Sequence, residues 1–148
     1  MKYATVICIF IVLISSLLVF AEDRTIPKDD KKTGLWAATS VPEPLVTSSR
    51  LKQFQVHFAM LNEGERHIDP GVSAWRLQIN GKDHPDSQLT FANGPRDERW
   101  KSLPAHQYLR FAYAIGDWFK KPGTYSIVWK GDDFESPPVV FRVLAQSE

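Results

Sequence analysis

The chain has 148 residues with 18 basic and 17 acidic side chains, and its first 21 read as a targeting segment, which leaves length for one domain rather than two. Lys2 is the one charged side chain in that segment, so residues 22–148 are electrically balanced and lack the surplus of Lys and Arg that a nucleic-acid binder or a polybasic membrane-surface protein needs. The sole cysteine, Cys8, also lies in that segment, which excludes disulfides, thiolate nucleophiles, cysteine zinc sites and iron–sulfur clusters from the remainder.

Met1-Lys2 gives a short positive start, Val6 to Val19 an apolar stretch broken by Ser15 and Ser16, and Val19-Phe20-Ala21 a small-residue cleavage pattern ahead of Glu22-Asp23. Residues 1–21 therefore read as a secretory signal peptide. The alternative is an uncleaved anchor, because residues 3–21 approach the ~20 apolar residues that cross a bilayer. The expected location is extracytoplasmic, periplasmic or secreted, with membrane contact only if this segment stays uncleaved. A chain that leaves the cytoplasm and uses no disulfide points to a bacterial envelope. Residues 22–33 hold four acids, four bases and Ile26 as their one large apolar residue, the composition of a flexible charged leader. Residues 34–148 form the expected domain, and a chain that is 43% apolar can fill its core.

In chain order, residues 35–40 suggest a first strand. Phe54, Val56, Phe58 and Met60 alternate with Gln53, Gln55, His57 and Ala59, the period-two pattern of a strand with one face inward. Asn62-Glu63-Gly64-Glu65 ends it as a turn. Trp75, Leu77 and Ile79 alternate before Asn80-Gly81, a dipeptide suited to a tight hairpin, and residues 87–92 are expected to return as a strand with Leu89 and Phe91 inward. Asn93 to Trp100 sets a cap-type residue and a proline before two acids, predicting one short helix near residues 95–102. Residues 108–113 carry aromatics on both faces and suggest a central strand covered on both sides. Tyr125, Ile127 and Trp129 mark the next strand, and residues 139–144 the last. About seven strands separated by turn signals, with no βαβ rhythm, indicate an all-β antiparallel sandwich.

Pro122-Gly123-Thr124-Tyr125-Ser126-Ile127-Val128-Trp129 resembles the late strand of immunoglobulin-like β-sandwich domains, as found in small secreted bacterial proteins. The resemblance implies that Tyr125 forms the corner in which a tyrosine hydroxyl bonds back to the backbone. The paired cysteines of antibody domains are absent, so aromatic side chains, with Trp75 and Trp129 foremost, must close the core.

No constellation specifies catalysis. His67-Ile68-Asp69 and His84-Pro85-Asp86 repeat a spacing that a two-histidine metal site can use, but His57, His67 and His84 fit exposed strand and loop positions as well. Asp69-Pro70-Gly71 fits a turn better than a calcium loop. No Gly-x-Ser-x-Gly elbow or glycine-rich phosphate loop occurs. No catalytic residue, metal or cofactor is therefore assigned. The candidate binding residues are Arg96, Arg99 and Trp100, two guanidinium groups beside a large aromatic, and Trp118 with Phe119 next to a turn. The competing reading has the charges around Arg96 pair among themselves while Trp100 plugs the sandwich. The expected function is a secreted, non-catalytic binding domain that holds a protein or envelope component through loops at one end of the sandwich. The alternatives are a carbohydrate-binding module that stacks sugars on Trp100, Trp118, Phe119 or Tyr108, and a protease inhibitor that presents the Pro70-Gly71 and Asn93-Gly94-Pro95 loops as a wedge.

Overall fold

A computed structural model describes residues 34–94 and 96–145; the signal peptide and charged leader read above lie outside these residues. Among these residues the strands are β1 (Leu35–Ser40), β2 (Leu45–Thr47), β3 (Gln55–Asn62), β4 (Arg76–Ile79), β5 (Lys82–Asp83), β6 (Tyr108–Ala114), β7 (Gly123–Lys130) and β8 (Val139–Leu144), with one α-helix, α1 (Ser87–Ala92). They form a three-stranded sheet in the order β1-β3-β6 and a five-stranded sheet in the order β2-β8-β7-β4-β5. All pairings are antiparallel except β2 with β8.

In this order the first, second and fifth strands of the immunoglobulin plan share one sheet, as β1, β3 and β6, and the third, sixth and seventh share the other, as β4, β7 and β8. The fold is an all-β, immunoglobulin-like sandwich. Period-two alternation decides which faces meet: Val56, Phe58 and Met60 of β3, Ile127 and Trp129 of β7, and Phe141 and Val143 of β8 are all buried. The corner tyrosine is also present, with the Tyr125 hydroxyl donating to the Lys121 carbonyl at 2.7 Å. In antibody domains a half-cystine stands two residues beyond that tyrosine. Ile127 holds the position here and is fully buried.

Aromatic rings join the sheets instead. Phe58 lies edge-on to Trp129 with centroids 5.4 Å apart, Trp75 edge-on to Trp129 at 4.8 Å, and Phe111 stacks on Phe58 and Trp75 at 5.1 and 5.6 Å. These edge and offset arrangements suit the ring quadrupoles. Trp75 Nε1 donates to the Pro70 carbonyl at 2.8 Å; the buried Trp129 Nε1 has no such acceptor, a cost accepted for the position of the ring. One polar pin crosses the core, where Thr39 Oγ1 donates to Ser136 Oγ at 3.1 Å and Ser136 Oγ accepts from the Trp129 amide at 2.9 Å.

The structure departs from the expected elements in four places. Residues 87–92 are helical, and the strand that returns from the Asn80-Gly81 turn is only Lys82–Asp83. Pro85 has no N–H to continue the ladder, and the buried Ser87 and Phe91 stand four apart on one helical face while Leu89 is 62% exposed. The turn itself is as expected, with Asn80 and Gly81 at φ 50° and 77°. The helix expected near 95–102 is a single 3-10 turn, Glu98–Trp100. The short β2 is an additional strand that gains its register from β8 rather than from its own pattern. Finally, β6 is an edge strand, not a central one, and Tyr108, Arg110, Ala112 and Ala114 on its outer face are exposed.

Phe58→Ala is expected to lower stability by about 3–5 kcal/mol in denaturant unfolding, because the site is ringed by rigid aromatics that cannot collapse. Tyr125→Phe should cost about 1 kcal/mol, the value of one hydrogen bond.

Candidate interaction surface

The five residues nominated from sequence do not converge on one patch. Trp100 is buried against Trp75 and Phe111, with centroids 5.5 and 4.8 Å away. Phe119 is fully buried against Phe54, Phe141 and Tyr125. Trp118 is half-buried and lies flat on the His84 ring at 3.9 Å. Trp100 and Phe119 thus belong to the interior, which their large apolar area favours. The guanidinium groups stay at the surface with local work to do. Arg96 Nη2 donates to the Phe91 carbonyl near the end of α1 at 2.7 Å and sits 5.8 Å from the Trp100 ring.

Asp97 caps the 3-10 turn, its Oδ1 accepting the Arg99 amide at 2.9 Å and its Oδ2 accepting Arg99 Nε at 2.9 Å and Arg99 Nη2. These bonds from Arg99 hold the Asp97 carboxyl below the usual aspartate range, and the Arg99 guanidinium is raised in turn. Burial raises the hydroxyl of Tyr113, which faces the core beside this segment, with Arg96 partly opposing the rise.

The histidines stand apart. His57 is exposed on the outer face of β3, His67 Nδ1 lies 3.2 Å from Ser102 Oγ, and His106 Nε2 lies 3.4 Å from Glu65. Among the described residues no group of three His, Cys, Asp or Glu side chains is placed to hold a metal ion. Asp69 Oδ1 accepts the Gly71 amide at 2.9 Å, with Gly71 at φ 66°, which is the expected turn.

The feature that sequence reasoning missed is the open side of the three-stranded sheet. In the immunoglobulin plan a fourth strand stands beside the fifth; the corresponding stretch of this chain is taken up by α1 and the Glu98–Trp100 turn. Among the described residues β6 pairs with β3 alone. Arg99 Nη1 donates to the Tyr108 carbonyl at 3.4 Å, so that carbonyl points off the edge. In an antiparallel ladder alternate residues point the same way, and Arg110, Ala112 and Ala114 therefore also direct their amides and carbonyls outward.

The outer face beside this edge is built in rows set by the register. Trp36, Leu61 and Tyr108 form one row, Ala38, Ala59 and Arg110 the next, and Ser40, His57 and Ala112 the third. The small side chains of the last two rows leave an open depression of about 550 Å³. A clue to this surface was present in the sequence: Pro85, Pro95 and Pro104 are spread through the stretch where a partner strand for β6 would have to form.

No protein-family description matches the chain, and no curated protein matches it. Among solved structures, the solution NMR structure of the CARDB domain of a Pyrococcus furiosus protein is similar at a TM-score of 0.40 and 14% identity, over 76% of this chain and 94% of its own. The immunoglobulin-like assignment rests on the strand order and the tyrosine corner.

Because the Asp97 carboxyl is lowered in the folded protein, its contribution is present above the ordinary aspartate pKa of ~3.9 and lost as pH falls through the lower folded value. The melting temperature of Asp97→Asn is therefore expected to lie below that of the parent by a constant margin from neutral pH to about pH 5, and the two should converge under more acid conditions.

Proposed function

We propose that this protein is an exported, non-catalytic interaction domain that engages protein partners through the open side of its three-stranded sheet. The observation that carries the reading is the free edge of β6. A seven-residue edge strand without proline, lysine or bulge is what sheets usually protect against, and it provides main-chain donors and acceptors for an added strand. The immunoglobulin-like scaffold holds that edge rigidly, and the neighbouring small side chains admit close approach.

The geometry gives the alternatives less. Sugar stacking requires two or more exposed, coplanar rings, whereas Trp100 and Phe119 are buried and Trp118 is occupied by His84. A protease-inhibiting wedge requires a projecting loop, whereas Pro70 is buried and its carbonyl is tied to Trp75.

A photo-crosslinking side chain at Ala112, in the full chain expressed in its native cell, should give discrete protein adducts. The same group at Thr124, exposed on the other sheet, should not. The same adduct pattern at both positions, or none at Ala112, defeats the proposal.

A further inference from the structure

The β6 edge is complementary to itself, and from this we infer that its occupant is the β6 edge of a second copy, joined antiparallel about a two-fold axis. The inference rests on the reading of β6 as the interaction surface and names its partner. An isologous contact needs each residue to suit the one that symmetry sets opposite. The outward-directed residues are Tyr108, Arg110, Ala112 and Ala114, two large followed by two small. With the axis at Phe111, Tyr108 faces Ala114 of the second copy and Arg110 faces Ala112, so every large side chain on the outer face meets a small one. These four are also the residues whose main-chain groups point off the edge. The register thus makes each a hydrogen-bonded pair, with about eight ladder bonds in all and a continuous six-stranded sheet.

Charge fits the same register. The two Arg110 side chains stand diagonally across the axis, where like charges would oppose pairing. Each guanidinium is drawn back over its own Tyr108 ring, 4.7 Å from the centroid, in the direction away from Phe111. The close bonds of Arg99 go to Asp97, and its bond to the Tyr108 carbonyl is long, so a ladder bond of ordinary length can replace it. Beside the edge, Leu89 is 62% exposed and lines a depression of about 410 Å³ with Thr90, Asn93, Gly94 and Tyr113, apolar surface that the second copy covers.

The test uses the full chain with Cys8→Ser, so that introduced thiols are the only ones. Sedimentation should show a monomer–dimer equilibrium. Ala112→Lys, which sets a long cation against Arg110 of the other copy, should weaken the dimer about tenfold or more while leaving the melting temperature near that of the parent. Register is read by mixing differently sized Arg110→Cys and Ala112→Cys chains under mild oxidation. Facing positions lie within disulfide range, so the mixed disulfide should exceed both homodimers. A chain that stays monomeric at all concentrations overturns the inference, and so does a dimer indifferent to Ala112→Lys or one without preference for the mixed disulfide. If any of these occurs while the crosslinker at Ala112 still captures other proteins, the edge remains the interaction surface with a different occupant; if those adducts are absent too, both readings fall.

Discussion

The edge-on contact between Trp75 and Trp129, with Phe58 and Phe111 against them, is the joint on which the sandwich depends. A sandwich of this plan is often tied by a disulfide between its sheets, and the described residues contain no cysteine. Rings must do that work by area and geometry alone. Each buries far more surface than a half-cystine, and edge-to-face contacts fix orientation as well as separation. The joint is generous enough to tolerate a buried indole N–H without an acceptor, and it explains why Trp100 turns inward: its ring extends the same stack toward Trp75 and Phe111.

That inward turn shapes the surface. The segment after β5 gives its apolar residues, Phe91 and Trp100, to the core as one helix and one 3-10 turn, and so cannot serve as a strand. The three-stranded sheet ends at β6 as a result. The Arg96 and Asp97–Arg99 interactions hold this segment against the core, and through Arg99 they reach the carbonyl of Tyr108. The polar cluster singled out from sequence is therefore a brace beside the exposed edge, and the edge is the consequence of how the cluster folds.

Much of the fold was legible because strand periodicity records burial directly. Phe54 to Met60, Trp75 to Ile79 and Tyr125 to Trp129 alternate, and the structure buries the residues expected apart from Ile79 and Tyr125, which are half-buried. The tight turn at Asn80-Gly81 and the corner at Tyr125 were legible because few other residues satisfy those backbone demands. Residues 87–92 were misread because a six-residue apolar–polar run fits either period; Pro85, with no N–H for a ladder, stood in the sequence as a warning, whereas the place of Phe91 against Phe58 and Trp75 is tertiary. Strand β6 was misread for a related reason. Aromatics on both faces suggest two covers, yet Tyr108 finds partial cover from Arg110 on its own strand. Among the site residues, the guanidinium groups at the surface were foreseeable from charge, whereas the burial of Trp100 and Phe119 depended on which core they happened to complete.

The Thr39–Ser136 pin has a consequence in time as well as in space. Its two hydroxyls lie 97 residues apart in sequence, and among the described residues β2 likewise pairs with β8 alone. A chain that emerges amino terminus first, from a ribosome or a translocation pore, presents β1 to β3 long before their closing partners exist. The first third of the domain therefore lacks these closing contacts until β8 has appeared. Any factor that recognises the half-made sandwich has the interval between the appearance of β3 and that of β8 in which to act.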